Sequence, residues 1–205
     1  MTTSATRSRE NTRARLLEAA AQVFAEVGLD GATVEAVCER AGFTRGAFYS
    51  NFESKDELFL TLAGTVAEER LNAVREQVTG MAAEGALDDT DPVALVQRIM
   101  DAGGDDRLSV MLMSEIRIRA LRDPAFGAAF LAQEGEMVAS IADIIRDIVD
   151  TGAIALRLEP ELAARLLMIA WEGMTVRGAM AADGEARLHD TASEALGRLV
   201  EALTA

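Results

Sequence analysis

The chain has 205 residues, half of them hydrophobic, and 34 acidic side chains against 20 basic ones give it a formal net charge of −14. Such a hydrophobic share excludes wholesale disorder, and the length suffices for a substantial core in one or two helical modules. No apolar run approaches the ~20 residues that span a bilayer, no N-terminal stretch reads as a secretory signal, and a single cysteine makes neither an internal disulfide nor a cysteine-based metal cluster. A cytoplasmic protein with no membrane partner, no metal and no cofactor is expected.

Residues 1–9 are polar and carry Arg7 and Arg9. They read either as a solvated tail or as an arm of the kind that enters a minor groove. Arg13 and Arg15 begin a first helix, with Leu16, Leu17, Ala20, Val23, Phe24 and Val27 as its apolar stripe and Gly28 as its stop. Thr33 caps a second, short helix by accepting a backbone N–H. Val34, Val37, Cys38 and Ala41 give that helix one apolar face. Gly42 ends it, because glycine tolerates the left-handed conformation that closes many helices. Thr44 caps a third helix in which Phe48 and Phe52 face inward and Thr44, Arg45, Gly46, Tyr49 and Ser50 face outward. Two helices joined by a tight glycine turn form a helix-turn-helix, whose second member enters the major groove of DNA.

Ser54 and Glu57 form a capping box that opens a long helix to about Thr79, with Leu58, Phe59, Leu62, Val66, Leu71, Val74 and Val78 on its buried side. Gly80 to Asp91 is rich in glycine and aspartate and reads as a loop. Asp91-Pro92, Asp123-Pro124 and Glu159-Pro160 each place a proline where a helix begins. They predict helices to about Gly103, Gly152 and Ala181, with another between, from about Asp106 to Arg122. A last helix runs from about Leu188 to Leu203. No stretch alternates with period two, so the fold is predicted to be all-α.

The stretch from Thr33 to Lys55 resembles the head of the TetR family of bacterial transcription regulators. Thr33-Val34, Ala41-Gly42-Phe43, Thr44-Arg45-Gly46, Tyr49, Phe52, Lys55 and Leu58 stand where that family's pattern has them. Asn51 stands where the family commonly has His, and Cys38 where it usually has Ala. Glu115 with Arg122-Asp123-Pro124, and Glu172-Gly173-Met174, are looser matches further along. The resemblance implies an N-terminal three-helix helix-turn-helix DNA-binding head in residues 1–55. It implies a C-terminal helical ligand-binding and dimerisation body in residues 56–205.

On that basis the DNA-binding residues are expected to be Thr33, Thr44, Arg45, Gly46, Tyr49, Ser50 and Lys55. Arg45 suits either a bidentate contact to guanine or a phosphate. Tyr49 and Lys55 suit phosphates, and Gly46 lets the backbone come close. Residues 1–55 hold seven positive and seven negative side chains, so the whole of the −14 lies in residues 56–205. A neutral head with its cations on one side can still meet a duplex, with the acidic remainder held away from it.

In the body, methionines adapt to irregular space. Met100, Met111, Met137 and Met168, with Trp171 and Glu115, are therefore candidates to line an apolar pocket. The family pairs its last two helices across a symmetric dimer, which assigns Leu166, Ile169, Leu196, Leu199 and Leu203 to the subunit seam. His189 has no companion ligands and reads as a surface residue. No nucleophile motif and no phosphate-binding glycine loop occurs, so an enzyme is not expected. The reading is a homodimeric regulator, a repressor that leaves a palindromic operator when a small apolar or aromatic effector binds. The alternatives are a helical dimer governed by a protein partner or by no inducer, and a ligand-binding protein whose head no longer reads DNA.

Overall fold

A computed structural model describes residues 2–87, 94–95, 98, 107–181 and 185–204. Among them the fold is all-α. The helices are α1 Thr2–Gly31, α2 Val34–Ala41, α3 Arg45–Tyr49, α4 Lys55–Ala83, α5 Arg107–Arg122, α6 Pro124–Asp150, α7 Pro160–Met180 and α8 Glu185–Leu203. Of the predicted helix after Pro92, Ala94, Leu95 and Arg98 are helical, and its other positions, Met100 among them, lie outside the described residues. The described residues contain no helix long and apolar enough to cross a membrane.

The chain divides into two compact units. One comprises Met1–Val66 and Leu112–Phe130, the other Ala67–Met111 and Leu131–Ala205. The division falls inside α4, where no loop interrupts the helix, and it gives most of α5 to the N-terminal unit. The boundary drawn at residue 55 from the sequence follows the end of the helix-turn-helix instead.

The N-terminal unit is built on aromatic packing. Phe24, Phe48, Phe52 and Phe59 are each at most 2% exposed, together with Leu16, Val37 and Leu58. Phe24 meets Phe59 edge-on at 6.3 Å between ring centroids, and Phe48 lies 5.7 Å from Phe52. Two arginines and a glutamate close the unit. Arg13 donates to the Asn51 carbonyl at 2.6 Å and to the Thr61 hydroxyl at 3.1 Å, with its guanidinium over the Phe52 ring. Arg15 donates to the Ala41 carbonyl at 2.9 Å and lies over Phe43. Glu115 of α5 accepts from the Leu29 N–H at 2.6 Å.

In the second unit, Val138, Ala142 and Ile145 of α6 pack on Ala163 and Ala164 of α7. Val78 of α4 packs with Ile144 and Ile148. Leu196 and Val200 of α8 pack against Leu167, Trp171 and Met174 of α7. Arg157, in the α6–α7 connection, donates its backbone N–H to the Leu203 carbonyl at 2.9 Å and so ties that loop to the end of α8.

Four expectations change. Residues 2–9 continue α1 as helix rather than forming a tail or an arm. Gly28, with φ +72°, stops the first helical run as expected, and a second short helical piece, not expected, follows it to Gly31. Val27, placed on the buried stripe, is 55% exposed. Gly80 lies within α4, which runs to Ala83 before Gly85 turns the chain at φ +67°. Within a long helix packed on one side, one exposed glycine costs only about 1 kcal/mol relative to alanine.

Candidate nucleic-acid interface

The helix-turn-helix is set by its caps. Thr33 Oγ1 accepts from the Ala36 N–H and Thr44 Oγ1 from the Ala47 N–H, each at 3.2 Å. Each satisfies one of the donors a helix start leaves open. Between them Gly42 takes φ +71° and lets the Phe43 N–H reach back to the Cys38 carbonyl at 2.9 Å. Cys38 is buried beside this turn, and desolvation, then the Glu35 carboxylate, pushes its thiol pKa up. With Phe48 buried, Thr44, Arg45, Gly46, Tyr49 and Ser50 form one exposed surface with Thr33 beside it. Ser50 donates its hydroxyl to the Gly46 carbonyl at 2.8 Å, which closes the last turn of α3.

Several cations of this unit are engaged. Arg45 pairs with Glu35 of α2 at 2.7 Å. A hydrogen bond with Tyr49, then the Glu35 charge, holds Arg45 more firmly protonated than a free arginine. Arg40 pairs with Glu26 at 2.6 Å, and that hydrogen bond pulls the Glu26 pKa below the usual carboxylate range. Arg119 of α5 reaches Asp56 at 2.7 Å and Asp123 at 3.4 Å. Arg9 donates to the Ser50 carbonyl at 3.1 Å.

Lys55 donates to the Leu29 carbonyl at 2.9 Å, a bond that fastens the start of α4 to the segment between α1 and α2. Leu29 is thus held from both sides, its N–H by Glu115 and its carbonyl by Lys55. The box that opens α4 forms at the expected residues in one half, Ser54 accepting from the Glu57 N–H at 3.0 Å, while in the other half Glu57 accepts from the Glu53 N–H rather than from that of Ser54. Asn51 donates from Nδ2 to the Ala47 carbonyl at 2.8 Å, and its Oδ1 is buried without a hydrogen-bond partner.

Sequence reasoning missed Glu35 and the fastening roles of Arg13 and Arg15. Arg13 and Arg15 stand at helical positions whose long-range partners, Asn51, Thr61 and Ala41, no local spacing reveals. Glu35 shows only as an acidic residue in the first turn of α2, where it complements the helix dipole.

The body candidates scatter. Glu115 belongs to the N-terminal unit and is committed to Leu29. Met111 is 45% exposed. Met137 is half-buried. Met168 packs against the α6–α7 cluster, and Trp171 against Leu196 and Val200. Of the residues assigned to the subunit seam, Leu196 is 4% exposed and spent on its own α7, because α8 lays its apolar stripe inward. Leu199 and Leu203 are half-buried. Leu166 and Ile169 of α7 remain exposed, at 37% and 59%.

Residues 16–62 match a family model described as bacterial regulatory proteins, tetR family. The HTH-type transcriptional repressor AcnR of Corynebacterium glutamicum is 29% identical over 175 residues, 85% of this chain and 86% of its own. The HTH-type transcriptional regulator UidR of Escherichia coli K12 is 27% identical over 157 residues, 77% of this chain and 76% of its own. Among solved structures, Thermus thermophilus FadR, a TetR-family repressor crystallised with lauroyl-CoA, superposes with a TM-score of 0.63. It is 21% identical, and the match covers 92% of this chain and 93% of FadR.

The Lys55 bond is open to test without DNA. Lys55→Ala removes a charged donor from a half-buried carbonyl and is expected to lower unfolding stability by about 1–2 kcal/mol. Urea unfolding checks this, and a midpoint equal to that of the parent protein would deny the bond any weight.

Proposed function

Because this chain belongs to the TetR family of bacterial regulatory proteins, we propose that it is a DNA-binding transcription regulator, a homodimeric repressor released from a palindromic operator by a small apolar effector. The observation that carries the reading is the fully capped helix-turn-helix, whose exposed face holds Thr44, Arg45, Gly46, Tyr49 and Ser50 over a buried Phe48 and Phe52. Such a face enters the major groove as a rigid body, so its side chains meet base edges in a fixed register. Residues 1–55 carry this role, and residues 56–205 carry dimerisation and effector response. Thr33 and Ser50 sit at the margins, where phosphates run. Lys55 spends one of its three N–H donors on Leu29, and the other two serve a phosphate.

The dimer seam is assigned to α7. Leu162, Leu166 and Ile169 fall on one helical face at spacings of four and three, and they are 46%, 37% and 59% exposed. Three large aliphatic residues aligned on a helix and left to water favour a second copy as their cover. Leu199 and Leu203 border the seam from α8.

The effector reading draws on FadR, whose structure holds lauroyl-CoA, and on the methionines and Trp171 of the second unit. An effector must bind the form that releases DNA better than the form that holds it. The typical coupling corresponds to roughly a 5- to 150-fold change in DNA affinity, and operator DNA weakens effector binding by the same factor.

Three measurements test the proposal. Fluorescence anisotropy on duplexes from the regions flanking the chain's own gene should reveal one tight, competable site. Arg45→Ala should weaken that site roughly five- to hundredfold per half-site and relax one base position. Absence of any sequence-selective binding would reject the DNA reading. Ile169→Arg puts an unpaired charge in the seam, and sedimentation should then show monomer, whereas a folded dimer of unchanged affinity would move the interface elsewhere. A screen of acyl and aromatic compounds by Trp171 fluorescence should find a binder that also lowers operator affinity. A tight binder that leaves DNA affinity untouched would reject the effector mechanism.

A further inference from the structure

Arg45 is the only cation within α3, and its NH1 lies 2.7 Å from Oε1 of Glu35. Both side chains are largely in water, at 61% and 58% exposure, on the surface assigned to DNA. The guanidinium carbon is 6.0 Å from the centre of the Tyr49 ring, so Arg45 is flanked by a carboxylate and an aromatic ring. Glu35 lies in the first turn of α2, two residues after the Thr33 cap.

Resting on the DNA-binding reading above, we infer that Glu35 is a specificity-determining residue of this reader. It withholds Arg45 from phosphates and restricts the contacted position to a guanine accompanied by a base amino group.

The chemistry follows from the donor and acceptor inventory. A guanidinium has five N–H donors in a rigid fork. Glu35 occupies the NH1 side and leaves the other side to meet guanine O6 and N7. The ion pair carries no net charge and its carboxylate repels a phosphate oxygen, so Arg45 gains less by turning to the backbone. The carboxylate only accepts. In the major groove, guanine and thymine present acceptors at O6, N7 and O4, whereas cytosine N4 and adenine N6 present donors. Within a single G·C pair the guanine acceptors adjoin the cytosine amino group. Arg45 and Glu35 together complement that edge, or a guanine next to a pair that offers an amino group. Without Glu35, Arg45 becomes a free cation that takes phosphate or guanine alike.

The test is selection of binding sites from a random duplex library by the full-length protein, followed by salt titration on the selected and on a scrambled duplex. The parent protein should enrich a G·C pair at one position of each half-site. Glu35→Ala should reduce that preference roughly five- to hundredfold. It should also tighten binding to scrambled DNA and steepen the salt dependence by about one phosphate charge per subunit. Glu35→Gln, which keeps the shape, should behave like Glu35→Ala, and equal unfolding midpoints show that the fold is intact. In an Arg45→Ala background, Glu35→Ala should leave preference and slope where Arg45→Ala put them, since Glu35 acts through Arg45. Unchanged preference and slope in Glu35→Ala would overturn the inference. So would an equal slope change in both backgrounds, which would reduce Glu35 to a bare charge near DNA. A parent protein that enriches no sequence would fail earlier, at the DNA reading itself, and take the Glu35 role with it.

Discussion

The N-terminal unit depends on how one residue is held. At Leu29 the chain has just passed through Gly28, whose φ of +72° breaks α1, and has only four residues before Thr33 must cap α2. Both backbone polar groups of Leu29 are answered from afar: Glu115 takes its N–H and Lys55 its carbonyl, at 2.6 and 2.9 Å. The Leu29 side chain is buried at the same point. A buried, kinked segment with open donors and acceptors would be costly, since each unmet backbone group loses its hydration without compensation. With both met, the exit of α1, the start of α4 and the middle of α5 are fixed to one another, and the helix-turn-helix hangs from that joint. Glycine suits position 28 because of its φ of +72°, which a side chain would strain, and a Cβ there would meet Glu115 Oε1 at an ordinary contact of 3.4 Å.

The charge of the head is organised by the same economy. A reader of polyanionic DNA would ordinarily show free cations, yet here Arg13 and Arg15 bond backbone carbonyls and lie over Phe52 and Phe43. Arg40, Arg45 and Arg119 face carboxylates. Cations so committed brace the unit, and under the proposed DNA reading they leave sequence-independent attraction weak. The balance between backbone attraction and base reading therefore shifts toward the few groups that meet base edges, which suits a chain whose remaining residues carry a large negative charge.

The helix-turn-helix was legible because its signals are local. Thr33, Gly42 and Thr44 act on neighbours within three or four residues, and the buried Phe48 and Phe52 follow from helical spacing. Asp123 behaved likewise, accepting from the Ala125 and Phe126 N–H groups to open α6. What stayed hidden was long-range. Nothing near Lys55 indicates that its ammonium turns to Leu29, and nothing in the spacing of Glu35 and Arg45 announces a pair across the turn. Val27 misled because helical spacing says which side a residue faces and not how far along the helix the packing reaches. Leu196 packs on α7 of its own chain, because an apolar stripe on a last helix fits either a partner or the helix before it, and spacing alone does not choose.

Lys55 has a consequence of another kind. It is the only lysine in the chain, so it is the only side-chain primary amine, and that amine is half-buried and hydrogen-bonded. Reagents or enzymes that acylate amines need a free nitrogen lone pair, which an ammonium donating to the Leu29 carbonyl does not offer. Its ammonium must first leave that carbonyl and lose a proton. The rate at which this one nitrogen is acylated therefore measures how often the joint at Leu29 opens, which makes the chain its own reporter of that motion without any engineered label.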